Sequence, residues 1–507
     1  MLIKNGYILT LDKKDTVFEQ GDVLIKDNKI VEIAQNIEVD TDYREEIIDA
    51  GGKIVMPGLI NCHAHSDSNL FKGYFDNLPL DIWMVNAIPL KHYGPLSNRL
   101  VYLRTLLGAI EMLKSGVTCV QDDPSEFPFP TIKGFGYILN AYKDIGMRAS
   151  VTCHMADRCE ADKLPFYREL LPADLLAELE DIAPKGFDDM MKFYEDYADE
   201  WHMAENGMYQ VVAAPSCPHR CTDDFLLAVH EFAQRRGIQT NIHALETKSQ
   251  AVVGPEFYNG RTLIEHCDDL GILTDRMTII HGVWTRESEM EILAARGTSV
   301  AHNPVSNLKL GSGIAPLRKL LNAGVNVGLG TDGTSSNDSQ NLFEVVKMAG
   351  LLHKVTMPDY NQWPNADEII RLATNGSARA CGREKEIGSL EVGKKADITI
   401  LATDTVNFTP LINVKNQLVY CENGESVDTV LVDGKVVVRN HEVVNINEKE
   451  VLHEIHALMP DFMKDYLVAV EYGKKFMPYV AQVYEKVSKK PIGINRYTSD
   501  EKSWIEE

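Results

Sequence analysis

The sequence predicts an α/β fold: a TIM-like (β/α)8 barrel, a small composite β-sandwich domain built from both chain ends, and a C-terminal helical extension. Three observations predict it. Eight short apolar runs rich in Val and Ile, continuous rather than alternating, recur between residues 59 and 333, as parallel strands buried on both faces require. Longer stretches of helical period separate them, which gives the alternation of strand and helix found in barrels and doubly wound sheets. The runs finish in polar residues able to do chemistry, as strand C-termini do when they form the active face of a barrel. A doubly wound sheet is the competing reading, but no GxGxxG follows the first run.

Taken in order, residues 1–57 read as short strands: LIKNGYILTL, then Gly21 with DVLIK, KIVEIAQ, and KIVMPG after Gly51-Gly52. The far end has the same style in KKADITILAT, DTVLVDGKVVV and HEVVNI. Lys26-Asp27-Asn28-Lys29 and Val432-Asp433-Gly434-Lys435 carry hairpin-turn residues between apolar alternations. Two β-rich segments at opposite ends pair into one domain, here residues 1–57 with 390–447. The barrel is expected over 58–389. Its runs are LINCHAH (59–65), VTCVQDD (117–123), RASVTCHM (148–155), YQVVAAPS (209–216), QTNIHALE (239–246), MTIIHGVW (277–284), TSVAHNP (298–304) and NVGLGTDG (326–333). Helices are expected over 100–115, 223–236, 286–296 and 315–323. The extension, 448–507, has helical spacing as far as about 490, and Pro460 and Pro478 should divide it. It reads as a cap on the barrel or on a second subunit, without catalytic content.

With 507 residues, 44% hydrophobic and 25% charged, the composition is that of a globular protein with a sizeable core. The net charge of −23 argues against nucleic acid and anionic membranes, which need basic patches. The N-terminus has no signal-peptide pattern and no apolar run spans a bilayer, so a cytoplasmic protein is expected. Nine cysteines without a CxxC pair fit reduced thiols, and Cys217 and Cys221 read as ordinary buried ones.

The run ends contribute His63 and His65, His243 with Glu246, His281, and Asp332. Residues i and i+2 of a strand share a face, so His63 and His65 can converge on one ion. With His243 and Asp332 they make a three-imidazole, one-carboxylate set suited to a divalent metal, zinc in preference to iron. Such an ion lowers the pKa of its water toward neutrality. Asp332 could take that water's proton, Glu246 could shuttle protons without ligating, and His281 could hydrogen-bond the water or the developing oxyanion. Taken singly, Asp332 reads equally as a turn residue, His243 and His281 as core histidines, and Glu246 as a loop acid. Their placement together on the first, fifth, sixth and eighth runs favours the site.

The chain resembles the amidohydrolase superfamily, in the branch holding aromatic deaminases and s-triazine hydrolases. The motifs that carry the resemblance run in order: Pro57-Gly58-Leu59-Ile60-Asn61-Cys62-His63-Ala64-His65, His243-Ala-Leu-Glu246, His281-Gly282, His302-Asn303-Pro304-Val-Ser306-Asn307-Leu-Lys309-Leu310, Gly330-Thr331-Asp332-Gly333 and Ile387-Gly388-Ser389-Leu-Glu-Val-Gly393-Lys394-Lys-Ala-Asp397. The resemblance implies metal ligation by His63, His65, His243 and Asp332, and proton transfer or water activation by Glu246 and His281. It implies hydrolytic release of ammonia from an aminated purine, pterin, pyrimidine or triazine. Loss of chloride, an alkylamine or a urea-type amine from the same site is the alternative, and a barrel without catalysis the second. Binuclear relatives carry a lysine on strand four, where this chain has Ala213-Ala214-Pro215-Ser216-Cys217-Pro218, so one ion per chain is expected unless Cys217 bridges a second. Adenosine-type relatives often show a histidine where Ser216 stands, which weakens a nucleoside assignment. Trp83 resembles a first-loop aromatic that packs on substrate rings, and Trp83, Ser216, His219 and Asn303 are the expected substrate contacts. His302 could line the pocket or only organise the seventh strand end. A homo-oligomer acting on a small heterocycle, without nucleic acid or membrane partners, is expected.

Overall fold

The computed structural model describes residues 1–39, 43–90, 96–126, 129–182 and 184–499. Each apolar run becomes a parallel strand: β1 (Leu59–His65), β2 (Val117–Asp122), β3 (Arg148–Met155), β4 (Tyr209–Pro215), β5 (Gln239–Ala244), β6 (Met277–His281), β7 (Ser299–His302) and β8 (Val327–Leu329), which resumes as β9 (Asp332–Gly333). Neighbours in sequence are neighbours in the sheet. β8 pairs with β7 while β9 pairs with β1, and only Gly330-Thr331 lies between them, so the sheet closes on itself. The closure is tight at this point. A Cβ on Gly330 would lie 2.4 Å from Asn303 Oδ1 and 2.8 Å from the His63 carbonyl oxygen, so glycine is required. The Asn61 side chain bridges the break, donating to Thr331 Oγ1 at 2.7 Å and accepting from the Thr331 N–H at 3.0 Å.

The expected helices form at Asn98–Lys114, Asp223–Arg236, Glu287–Arg296 and Leu317–Asn322. The Asp223–Arg236 helix shows why its boundaries were legible. Thr222 caps its first turn, acids occupy that turn, arginines occupy the last, and Gly237 ends it in the left-handed conformation.

The chain ends build a second, mostly antiparallel sheet with nine strands in one hydrogen-bonded array. Lys53–Pro57 from the N-terminal side runs antiparallel to Ile398–Ala402 from the C-terminal side and joins the two halves. The sheet has its own core, including Ile3, Ile8, Val23, Val55, Ile398, Ile400 and Leu431. A buried ion triad ties it to the barrel. Arg148, the first residue of β3, donates to both carboxylate oxygens of Asp397 at 2.8 and 2.9 Å and to Asp433 at 3.0 Å.

The tail differs from expectation at Pro460. It lies within one uninterrupted helix, Glu448–Gly473, whereas Pro478 does begin the next, Met477–Ser488. Pro460 is exposed, so the carbonyl deprived of its partner one turn earlier can bond to water, and proline's fixed φ is already helical. Residues 500–507 of the expected extension lie outside the described residues. Among the described residues no helix is long and apolar enough to cross a membrane.

Candidate active site

The barrel's strand ends converge on a cluster of imidazoles and carboxylates. His63 is fully buried, and both of its ring nitrogens lack a hydrogen-bond partner in the protein. Two orphaned nitrogens on a sealed imidazole are costly, and burial pushes the ring toward its neutral form. That is the state a metal ligand needs. His65 turns Nδ1 to the Asp123 carbonyl oxygen at 2.6 Å, and its Nε2 lies 3.3 Å from Asp332 Oδ1. Burial alone would lower its pKa, but Asp332, Asp123 and Asp67 together raise it to about 9. The negative field that favours a proton there favours a divalent cation equally. His243, on β5, directs Nδ1 toward Asp123 Oδ2 at 3.8 Å, and its ring lies 5.0 Å from that of His63 and 5.5 Å from that of His65.

Asp332 sits in a left-handed conformation, φ 65°, which turns its side chain inward from β9. Its Oδ1 lies 3.5 Å from His63 Nε2, and its Oδ2 accepts from Ser306 Oγ at 2.5 Å. His281, at the end of β6, is also left-handed, φ 75°. Asn303 and Asn307 converge on its Nδ1 at 3.2 and 3.0 Å, which leaves Nε2 to face Glu246 Oε2 at 3.5 Å and Asp332 Oδ2 at 4.0 Å. Burial lowers the His281 pKa to about 3, so the ring is neutral. Glu246 is buried, and burial followed by repulsion from Asp332 raises its pKa well above the usual carboxylate range. It is therefore a neutral acid beside a cluster of bases.

Among the described residues, two groups could hold a divalent ion by proximity: His63, His65, Asp123 and His243, and His63, His281 and Asp332. The protein itself already engages some of these donors. Asp123 is already engaged, accepting from Thr152 Oγ1 and facing His154 Nδ1 at 3.2 Å, while its backbone oxygen anchors His65. It orients imidazoles from behind, as carboxylates behind metal-bound histidines do. Opposing its burial, His154, His243 and His65 hold its carboxyl far below the usual range. Asp332 is engaged at both oxygens, Oδ2 by Ser306 and Oδ1 by the Gly333 N–H at 2.8 Å, and its Oδ1 lies within 3.5 Å of His63 Nε2 and His65 Nε2.

The cluster opens into a cavity. Its apolar lining is Phe71, Leu80, Trp83, Met84, Ala87, Ile88 and Leu310, and its polar lining includes His65, His154, Ser216, Glu246, His281 and Asp332. Trp83 donates its indole N–H to the Ser335 carbonyl oxygen at 3.2 Å. Of the expected substrate contacts, Trp83 and Ser216 line the cavity, whereas His219 and Asn303 do not. His219 is buried beside the cations Arg220, Arg158 and Lys163, and burial first, then those charges, keep it neutral. Asn303 reaches the site only through His281. His302 pairs with His353 at 3.0 Å, away from the cavity. Cys217 lines the cavity as a neutral thiol, pushed by burial to about 11.

Asp123, His154 and Arg220 are at the site without having been singled out in the sequence. Asp123 closed the second apolar run and His154 stood one residue before the end of the third, and an acid or imidazole near a run end was the signal that could have found them.

Comparison with known proteins agrees with this architecture. The model of the amidohydrolase family matches residues 54–437. A 5'-deoxyadenosine deaminase of Methanosarcina acetivorans is 36% identical over 461 residues, covering 90% of this chain and 96% of that protein. A 5-methylthioadenosine/S-adenosylhomocysteine deaminase of Thermococcus onnurineus is 36% identical over 448 residues, covering 87% and 95%. Among solved structures, atrazine chlorohydrolase of Arthrobacter aurescens TC1, complexed with zinc, superposes with a TM-score of 0.82 at 25% identity, covering 90% of this chain and all of that one (100%). The family model and the deaminase relatives together define a hydrolase acting on carbon–nitrogen bonds. The chain belongs to the amidohydrolase family.

Proposed function

We propose that the protein is a metal-dependent hydrolytic deaminase that replaces the exocyclic amino group of an N-heterocycle with oxygen and releases ammonia. One zinc ion per chain is the expected metal, held by His63, His65, His243 and Asp332. Adenine nucleosides altered at the 5' carbon are the first substrates to test, because the similar deaminases named above act on them. The observation that carries the reading is Glu246, a buried neutral acid 3.5 Å from His281 and directed into the cavity. Expelling an amine requires proton delivery to a ring nitrogen and to the leaving nitrogen; chloride needs neither.

A divalent ion held by these residues would supply an acidified water molecule. Asp332, held by Ser306, accepts that water's proton. Glu246 protonates the ring nitrogen beside the carbon under attack, and His281, fixed by Asn303 and Asn307, donates from Nε2 to the oxygen as charge develops on it. The proton taken from water then leaves with the amino group as ammonia, the hydroxyl proton of the adduct returns to Glu246, and the heterocycle keeps the oxygen as a carbonyl. Trp83 offers an aromatic face for a flat ring.

The test is ammonia release from purified, zinc-loaded protein over purines, pterins, pyrimidines and triazines, with metal content measured on the same sample. About one equivalent of zinc and ammonia from at least one aminated ring are expected. Two equivalents in active protein would remove the single-ion assignment. The likeness in fold to atrazine chlorohydrolase supports a second reading: chloride release from a halogenated triazine, with no ammonia from any member, would replace deamination by dechlorination.

A further inference from the structure

Arg220 ends the single turn Pro218–Arg220 that follows β4. Among the described residues that line the cavity, it is the only lysine or arginine. Its Nε is sealed from solvent without a partner, and its guanidinium makes no hydrogen bond or ion pair within the described protein.

Three other arginines of the barrel are engaged. Arg104 pairs with Glu126 at 3.2 Å, Arg148 with Asp397, and Arg158 donates to the Cys221 carbonyl oxygen at 2.8 Å. A chain with 74 acidic side chains against 51 basic ones has no shortage of partners. Even Asp81, close enough for Arg220 to act on its charge, takes its hydrogen bond from Ser249 instead. A half-buried guanidinium without a partner is unfavourable by itself. It becomes favourable when a ligand brings an anion whose oxygens match its planar fork.

We propose that Arg220 determines the specificity of this site, and that the substrate is an aminated heterocycle carrying an anionic oxygen group, a carboxylate or a phosphate, that pairs with its guanidinium. The inference deepens the deaminase reading and rests on it for the reaction, while the pairing itself is a matter of binding.

The experiment uses matched pairs on the zinc-loaded enzyme: adenosine with adenosine 5'-monophosphate, and pterin with pterin-6-carboxylate. Ammonia release is measured for the wild type, Arg220→Gln and Arg220→Lys. In parallel, calorimetry follows binding of amine-free counterparts, inosine with inosine 5'-monophosphate and lumazine with lumazine-6-carboxylate. For at least one pair the wild type should favour the charged member. Arg220→Gln should raise its KM or Kd about 10- to 100-fold, the usual weight of a hydrogen bond to a charged group, and leave the neutral member nearly unchanged. Arg220→Lys should restore part of the difference. The phosphate and carboxylate arms identify which anion is used. Equal losses on charged and neutral members would make Arg220 a structural residue, and no preference for any anion in the wild type would overturn the proposal outright. Arg220-dependent binding of an amine-free anion without ammonia from any substrate would remove the deaminase reading and leave the pairing intact. Ammonia from neutral rings, unaffected by Arg220→Gln, would do the reverse.

Discussion

Glu246 and His281 lie within 3.5 Å of each other, and each has an environment suited to a different task. Glu246 has its proton because burial and Asp332 raise its pKa, whereas His281 lacks charge because burial lowers its own. Replacing Glu246 by Gln keeps the shape and the hydrogen-bonding capacity but removes the transferable proton. The variant should retain its metal and lose about 10²-fold or more in turnover; metal loss, read by elemental analysis, would make Glu246 a ligand instead. Residue by residue, the sequence was informative where chemistry coincides with a strand end. His63, His65, His243, His281 and Asp332 could be read because a run of buried apolar residues points at them. Asp123 and Arg220 could not be weighed in the same way. Asp123 matters through contacts to His65, His154 and His243 on three other strands, and Arg220 through the absence of a partner. Neither property exists before the barrel closes.

At the scale of elements, the segment after β7 explains a motif that the sequence offered without a function. Asn303 and Asn307 hold His281, Ser306 holds Asp332, and Leu310 lines the cavity. One short helix, Pro304–Lys309, thus positions strand ends on both sides of β7. Its first partner, His302, bonds to His353 within the fold, and burial lowers the His353 pKa to about 4. Both rings are held neutral. The stability they contribute is complete above the ordinary histidine pKa and is lost as pH falls through the interval from about 6.5 to 4. For His353 alone the loss by pH 5 is about 2 kcal/mol. Thermal midpoints at pH 7 and pH 5 should therefore lie closer together in His353→Gln than in the wild type; an unchanged gap would mean that His353 is not the group being charged. The eight strands and their order were legible because periodicity and burial coincide. The continuity through Pro460 was not, because whether an exposed carbonyl can bond to water depends on which face of the helix meets the barrel.

For the whole molecule, the C-terminal helices do more than cover a surface. Tyr466 donates to the Asn86 carbonyl oxygen at 2.7 Å, its ring lies 4.9 Å from that of Phe71, and Phe462 packs beside it. These contacts grip the Leu80–Ala87 helix, which carries Trp83 over the cavity. Farther along, Arg496 donates to the carbonyl oxygens of Val283 and Thr285 at 2.9 and 2.6 Å, just after His281. Tyr466→Ala should loosen the Trp83 helix and raise KM several-fold with kcat little changed, because the residues of the reaction remain in place; equal effects on both would point to general destabilisation. The second sheet has a consequence for how the protein is made. Asn28 bonds to Asp433, 405 residues later in the chain, and Lys53–Pro57, paired with Leu2–Leu9 on one edge, gains its second neighbour only when Ile398–Ala402 has been synthesised. On the ribosome the first strands must wait, with an open edge, while the whole barrel is translated beside them. Open edges invite pairing with other chains, and contacts this distant form slowly. Yield in a heterologous host should therefore depend on translation rate and chaperone supply more than on the final stability of the fold.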